Sequence, residues 1–348
     1  MEFLYFLQSI RNPVCDFLFD LITKLGEETV FLAVAILFFW CVNKREGFYI
    51  LLTGLFGTVV NQGLKISCRI ERPWIQDPSF PIIESARAEA TGYSFPSGHT
   101  QNVAGTFGAI GKWSARRWVK ILTVVIIILV AFSRMYLGVH TPFDVVVSLG
   151  FAAFLVLILH PFFADEDRFN RSFPIIVGIA ALISLALLVY VNLLPDSIDG
   201  VEQIYIDSYE LNIASARKNA ATLFGCMLGL VVVYPIDRMF IRFKTDAPWY
   251  SQVIKLVLGL GIVILIKSVL QAPLEAVIGI FTDSPEYIAR AIRYFIIVAF
   301  AGGIWPLTFS FFSKLRIKPL DDFAVWLKSK LTRNGEKVDT PATVEEEK

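Results

Sequence analysis

Residues 118–163 read WVKILTVVIIILVAFSRMYLGVHTPFDVVVSLGFAAFLVLILHPFF. Two apolar runs in this stretch, 118–136 and 142–163, are each long enough to form a helix across a hydrocarbon layer about 30 Å thick. The segment that joins them is polar, and it places His140 one helical turn before Asp144. Ionisable groups are costly at a membrane edge unless they are paired or functional. The stretch therefore indicates two membrane helices that meet at a chemical site.

The rest of the chain has the same apolar character. Of its 348 residues, 55% are hydrophobic and 18% are charged, and the mean hydropathy of +0.60 exceeds what one soluble core needs. The net charge of +1, without a basic face or tail, argues against nucleic acid as a partner. The apolar runs predict an all-α fold, a polytopic membrane helical bundle of about nine spans. The predicted spans are 26–43, 47–67, 98–114, 118–136, 142–163, 173–194, 219–236, 252–271 and 288–312.

The predicted spans divide the chain into four parts. Residues 1–25 mix charged and apolar side chains and are predicted to form an amphipathic helix on the membrane surface. Residues 26–165 form a core of five spans that carries the polar stretches, and residues 166–318 add further spans. Residues 319–348 are predicted to be a cytoplasmic tail that is partly disordered, because its end is too polar to build a core.

The loops that follow the odd-numbered spans carry an excess of lysine and arginine, as in Arg116 and Arg117. Loops of this kind face the cytoplasm in most membrane proteins. The chain is therefore predicted to be a multi-pass protein of the plasma membrane, with the ends of its second and fourth spans outside. The polar residues at those ends would form an extracytoplasmic site.

Three polar stretches are predicted to meet at that outer face. They are KISCRIERP (65–73), YSFPSGHT (93–100) and SRMYLGVHTPFD (133–144). Lys65, Arg72 and Arg134 are three cations at a membrane edge, and they imply a highly charged anion between them. Phosphate is the natural candidate for this anion.

The remaining polar residues suggest a reaction at that phosphate. Ser97 can cap the third span, whose first N–H groups would point at the anion, and Gly98 permits close backbone approach. Asp144 can hold one imidazole nitrogen of His140 protonated, which leaves the other nitrogen free to attack phosphorus. His140 is therefore the predicted nucleophile, and His99 is the predicted acid for the departing oxygen.

Together the three stretches resemble the full signature of the type 2 phosphatidic acid phosphatase superfamily, over about residues 26–165. The segment LGEETVFLAVAILFFWC (25–41) is also loosely similar to sphingosine phosphate phosphatases. The superfamily resemblance implies a phosphatase that needs no metal and no cofactor. It assigns His140 as nucleophile, Asp144 as its partner and His99 as general acid, with Lys65, Arg72, Ser97, Gly98 and Arg134 binding phosphate.

These residues lead to the hypothesis of a membrane phosphatase that hydrolyses a lipid phosphomonoester or pyrophosphate through a phosphohistidine intermediate. Undecaprenyl pyrophosphate, phosphatidic acid, phosphatidylglycerol phosphate and sphingoid base phosphate all remain open as substrates. One alternative is the same chemistry on a soluble ester such as a sugar phosphate. Another is a protein that binds or transports a lipid phosphate without cleaving it. The role of spans six to nine is undecided between a gate for a lipid tail and the interface of a homodimer.

Overall fold

The computed structural model describes residues 1–282, 284–323 and 326 of the chain. These residues form helices joined by loops, of which the one between α5 and α6 covers residues 77–97, and no β-strand occurs among them, which confirms the predicted all-α bundle. Most of the predicted tail, 319–348, lies outside the described residues. The α-helices of the described residues are α1 (Glu2–Ser9), α2 (Pro13–Thr23), α3 (Glu28–Leu37), α4 (Lys44–Cys68), α5 (Pro73–Gln76), α6 (Gly98–Trp113), α7 (Arg117–Tyr136), α8 (Pro142–Ala164), α9 (Glu166–Leu193), α10 (Gln203–Ile236), α11 (Trp249–Val269), α12 (Gln271–Ile278), α13 (Pro285–Ala299) and α14 (Phe309–Lys314).

Seven stretches of the described residues are helical, long and apolar enough to cross a membrane. They are Lys44–Gln76, Arg117–Tyr136, Pro142–Ala164, Glu166–Leu193, Gln203–Ile241, Trp249–Ile278 and Pro285–Lys314. An eighth span results if Pro13–Gly26 and Glu28–Val42, which are bent by 52° against each other, are counted as one. The chain is thus a multi-pass membrane protein, but the predicted count of nine spans is not confirmed.

The predicted third span differs from the others because its helix, α6, is short and polar. It has only 16 residues, and it buries Gln101, Asn102 and Thr106 among its core side chains. α6 packs against α4, α7 and α8. These neighbours supply a protein environment for side chains that lipid would not solvate.

The predicted seventh span, 219–236, is shorter than the helix that the structure shows, because its predicted start is too late. The corresponding helix α10 has 34 residues and already begins at Gln203. Its first turns carry enough charge to resemble an outer loop. They nevertheless bury Tyr209, Ile213 and Ala216 against the protein, and burial of one apolar face is sufficient to fix a helix whose other face is polar.

The N-terminal segment 1–25, which the sequence predicts as one amphipathic helix on the membrane surface, forms two helices, α1 and α2, and its place on the membrane surface stays a prediction. Pro13 has no N–H to continue a helix, so a new one begins there, and the side chain of Asn12 caps it. Both N-terminal helices contact α7. The Tyr136 hydroxyl donates a hydrogen bond of 2.7 Å to Asp16 Oδ1, which ties α2 to the end of α7 that carries the polar site.

Aromatic side chains join the helices at the other end of the bundle. Phe48 at the start of α4 packs on Phe173 of α9, with ring centroids 4.7 Å apart. Phe173 packs in turn on Tyr234 near the end of α10, at 4.6 Å. This buried contact joins the helices of the signature region to the later helices in one bundle.

Candidate active site

A cavity of about 230 Å³ lies where α4 ends and α6 begins. Lys65, Arg72, Gly98, His99 and His140 all line it. The cavity thus gathers five of the eight residues that the sequence predicted for the site.

The neighbours of His140 define which of its nitrogens carries the proton. Arg72 Nη1 lies 2.9 Å from His140 Nε2. A guanidinium group has donors but no acceptor, so Nε2 must offer its lone pair. The proton of the neutral ring is therefore on Nδ1, which lies 3.4 Å from Asp144 Oδ2. The nitrogen on the cavity side is the unprotonated one, as a nucleophile requires.

Asp144 is held firmly in place behind His140. It is buried, and its Oδ2 accepts hydrogen bonds from the Thr141 N–H at 2.7 Å and from the Ser94 hydroxyl at 2.6 Å. The Thr141 contact is half of a capping box that starts α8. Ser94 was not singled out from the sequence, although its place three residues before Ser97 in a predicted site stretch was an available signal.

The charge on His140 is strongly disfavoured in this site. Its ring lies in the short connection between α7 and α8 and is buried. Burial, followed by the positive charges of Arg72, Arg134 and Lys65, lowers the pKa of His140 well below its ordinary value. The imidazole is therefore neutral at physiological pH, and its Nε2 lone pair accepts the hydrogen bond from Arg72.

The two cavity cations are held by backbone oxygens. Lys65 Nζ donates to the Tyr93 carbonyl. Arg72 donates from Nε to the Gly92 carbonyl and from Nη1 to the Val139 carbonyl, both at 2.9 Å. Among the described residues, no carboxylate lies within 4.0 Å of the charged nitrogens of these two side chains. Their charge is left available for an anion.

The start of α6 has the geometry that the sequence predicted. Ser97 Oγ accepts a hydrogen bond from the Thr100 N–H at 3.4 Å, as a helix cap does. A Cβ added to Gly98 would meet only Asn61 Oδ1, at 4.0 Å, so its backbone faces open space. His99 Nε2 is buried without a hydrogen-bond partner within the described part of the chain. The first N–H groups of α6 could therefore bind an anion, and His99 could contact the leaving group.

Three of the predicted site residues do not line the cavity. Ser97, Asp144 and Arg134 lie behind those that do. Arg134 donates from Nη1 to the Thr23 hydroxyl of α2 at 2.6 Å. Its Nε and Nη2 find no partner among the residues that the structure describes. Direct contact of Arg134 with phosphate remains a prediction, and nothing in the sequence signalled Thr23.

The later helices also contribute to the site. The Ser208 hydroxyl of α10 donates to Glu71 Oε2 at 2.7 Å, and the Arg69 guanidinium lies 5.5 Å from the ring centre of Tyr209. These contacts hold the segment that carries Arg72. Further along α10, three side chains line the cavity itself. They are Asn219, Thr222 and Leu223. Ser208 and Tyr209 are not predictable as packing residues because the start of α10 resembles a loop, and the side chains at 219–223 lie in a predicted span whose packing partners no local pattern specifies.

Comparison with known proteins identifies two family matches. The PAP2 superfamily model matches residues 46–168, and the model of the PAP2 superfamily phosphatase, transmembrane extension, matches residues 221–317. No solved structure matches the chain.

Curated relatives match shorter parts of the chain. Sphingosine-1-phosphate phosphatase 1 of Mus musculus is 24% identical over 189 residues, which are 51% of this chain and 43% of the relative. Undecaprenyl-diphosphatase of Sulfolobus acidocaldarius is 28% identical over 127 residues, 36% of this chain and 59% of the relative. Phosphatidylglycerophosphatase B of Bacillus subtilis is 28% identical over 180 residues, 47% of this chain and 82% of the relative.

The match thus spans about half the length of the first two of these relatives. The first family match contains every predicted site residue, and the second contains the end of α10 with α11, α12, α13 and α14. The protein belongs to the PAP2 superfamily, the superfamily of type 2 phosphatidic acid phosphatases.

Proposed function

We propose that this protein is an integral membrane phosphatase that hydrolyses a phosphomonoester or pyrophosphate carried by a lipid. The observation that carries the proposal is the state of His140. Its unprotonated Nε2 lies on the cavity side beside Arg72, while its Nδ1 faces the buried carboxylate of Asp144. A protein that only binds phosphate needs the cations but not an imidazole oriented for attack.

The proposed reaction has two steps. Nε2 of His140 attacks phosphorus, so that a P–N bond forms and the P–O bond to the lipid breaks. His99, which takes up a proton when the phosphate dianion offsets the neighbouring positive charges, gives that proton to the departing oxygen. Water then attacks the phosphohistidine, the P–N bond breaks, and the proton from water returns to His99. Lys65 and Arg72, with the first N–H groups of α6, stabilise the negative charge of the transferred group.

Arg72 has a second task in this sequence of events. In the free enzyme its Nη1 donates to the lone pair that must attack. Bound phosphate has to draw this donor away from Nε2 to one of its own oxygens, since a nitrogen that accepts a hydrogen bond is a weaker nucleophile. Substrate binding would thereby release the nucleophile only when phosphate is in place.

A second cavity favours a lipid over a soluble ester as substrate. It has a volume of about 260 Å³ and is bounded mainly by apolar side chains of α3, α10, α11 and α13, among them Leu32, Leu230 and Val263, with Lys267 of α11 as its one charged lining residue within the described part of the chain. Thr29 lines both this cavity and the phosphate cavity. A sugar would need polar partners in the adjoining space, whereas an alkyl chain needs an apolar one. The relatives described above are likewise named as phosphatases of sphingosine 1-phosphate, undecaprenyl diphosphate and phosphatidylglycerophosphate, each of which is a lipid.

The proposal is tested by phosphate release from purified protein in detergent. We expect turnover of at least one lipid phosphate in the presence of EDTA, and slow or no turnover of glucose 6-phosphate. Metal independence is itself a prediction, which the EDTA measurement checks. Tight binding of lipid phosphates without release from any of them would instead favour the binding or transport alternative.

The extracytoplasmic position of the site is tested by labelling in sealed cells. The loop between α9 and α10 lies at the site end of the bundle and contains Asp199. Because Cys68 is an exposed thiol, the label is introduced as Asp199→Cys in a Cys68→Ser background. We expect an impermeant maleimide to react from outside. Reaction only after permeabilisation would place the site on the cytoplasmic side.

A further inference from the structure

The phosphate cavity has a second wall, which carries the opposite charge. Glu27, Glu28 and Glu89 line the same cavity as Lys65 and Arg72. Within the described residues, none of these three carboxylates has a cationic nitrogen within 4.0 Å. Carboxylates beside a phosphate dianion repel it unless another positive charge is bound between them.

Buried amide oxygens in the cavity also lack a partner, and they indicate that a group with hydrogen-bond donors binds there. Asn61 is 2% exposed, and its Nδ2 donates to the Pro96 carbonyl, while its Oδ1 has no donor among the described residues. Gln101 is 1% exposed, and neither of its amide atoms has a partner there. Both side chains line the cavity. Because an unpaired buried acceptor is unfavourable, these oxygens indicate a ligand that donates hydrogen bonds.

The acidic wall lies on the side of the cavity where the leaving group would depart. The Asn102 amide of α6 donates to the Gly26 carbonyl at 3.3 Å. A Cβ added to Gly26 would lie 2.9 Å from the carbonyl oxygen of His99. The two glutamates that follow Gly26 are thus anchored beside His99, the proposed proton donor to the leaving alcohol. They are placed to contact the alcohol part of the substrate.

Of the three carboxylates, Glu28 is nearest in sequence to the residues of the second, mainly apolar cavity. The next residue, Thr29, lines both cavities. Lys267 and Arg290 act on Glu28 electrostatically from α11 and α13 without forming an ion pair with it. The lining therefore changes from cations to carboxylates and then to a mainly apolar cavity, in which Lys267 is the charged exception among the described residues. A matching substrate has a phosphate, then a positive group, then a hydrocarbon chain.

We propose that Glu28, with the neighbouring carboxylates and the Asn61 oxygen, binds a primary ammonium group of the substrate. The preferred substrate is then a long-chain phosphomonoester whose alcohol carries an amine a few bonds from the phosphate. An ammonium group offers three donors and one positive charge, which suits this set of acceptors. This inference rests on the proposed phosphatase function and narrows its substrate class.

The test compares three probes that share an 18-carbon chain. They are sphinganine 1-phosphate, its N-acetyl derivative, and octadecyl phosphate. For the wild-type protein, we expect kcat/KM to be about tenfold or more higher for the amine than for the other two, as expected for one charge pair removed from water. Glu28→Gln should reduce this ratio about tenfold, and Glu28→Lys should reverse the preference.

Glu84→Gln is the matched control, because Glu84 is exposed and paired with Arg87 at 2.8 Å in the loop before α6. It should keep the wild-type ratio. Equal kcat/KM for all three probes, or an unchanged ratio in both Glu28 variants, would overturn the amine site and leave the phosphatase proposal standing. If the wild-type protein releases phosphate from none of the probes and from no other lipid phosphate, the proposed function itself fails, and this inference fails with it.

Discussion

The two ends of the bundle bury lysines in different ways. At the aromatic end, Lys255 is 1% exposed, donates to the Trp40 carbonyl at 2.8 Å and lies 4.3 Å from the ring centre of Phe309. Lys44 at that end forms an ion pair with Asp237. Lys65 at the site end has only carbonyl partners and faces a cavity. A buried cation that is enclosed by protein or paired with a carboxylate serves stability, whereas one that lines a cavity is available for a ligand.

This comparison predicts that changes at the site end reduce turnover, while changes at the aromatic end reduce stability. The largest effect is expected for His140→Asn, which removes the attacking lone pair. Phosphate release should fall by about 10⁴-fold or more, with an unchanged apparent melting temperature in detergent. The control is His160→Asn at the other end, where His160 contacts the rings of Tyr49 and Trp113. Full turnover in His140→Asn would exclude it as the nucleophile.

At the aromatic end, Asp237→Ala should lower stability without lowering turnover per folded molecule. Asp237 is 4% exposed, and its removal leaves Lys44 without its anion. We expect a loss of about 1–3 kcal/mol, because breaking a largely buried pair leaves one charge uncompensated. Melting curves followed by size-exclusion chromatography measure this loss.

Asp196→Ala is the control, since Asp196 is exposed in its pair with Arg217, and its effect should stay below about 1 kcal/mol. A reduced kcat at unchanged stability would contradict the division between the two ends.

Gly98→Ala should affect substrate use but not folding. The added Cβ has only Asn61 Oδ1 nearby, at 4.0 Å, and would project toward the phosphate position. We expect kcat/KM to fall roughly tenfold, because one methyl group displaces the anion from the N–H groups of α6. Gly150→Ala on α8 also adds a Cβ into open space, away from the cavity. Gly150→Ala should keep full activity. Equal losses of activity in both variants would show that any glycine-to-alanine change in a helix has this effect, and would contradict a specific role of Gly98.

The smallest predicted effect is a shift in pH dependence. Only the unprotonated ring of His140 can attack, and its pKa lies well below its ordinary value of about 6.5. Activity should therefore persist at pH values where a free histidine is protonated. Lys65→Met removes one of the positive charges that disfavour the imidazolium, so the pKa rises and the acidic limb of kcat/KM moves to higher pH, by up to about one unit. An acidic limb that stays in place would show that burial alone sets this pKa.

The sequence predicted the centre of the site well, because polar residues in an apolar chain are few and their spacing is informative. Lys65, Arg72, His99 and His140 were expected at one membrane face, and they line one cavity. Seven of the predicted spans correspond to helices that meet the length and hydropathy of a membrane crossing. α6 was more ambiguous, since its polar side chains are tolerated only through neighbours that no local pattern reveals.

Contacts between distant parts of the chain could not be predicted in this way. The hydrogen bond of Arg134 to Thr23 joins residues 111 positions apart, and that of Ser208 to Glu71 joins residues 137 apart. Each depends on how helices pack, which the spacing of apolar residues does not specify. The acidic wall was missed for the same reason, since Glu28 looked like the polar end of a membrane span.

The bend between α2 and α3 has a consequence for how members of this superfamily can diversify. Thr23 and Glu28 stand on either side of it, and both precede the two segments that identify the superfamily. Mutations there can alter the support of Arg134 or the contacts to the alcohol while every signature residue stays intact. Under the proposed function, evolution can therefore change which substrate such a protein prefers without altering the residues by which it is classified. Exchanging only α2 and α3 between homologues should then transfer the substrate preference and leave the reaction in place.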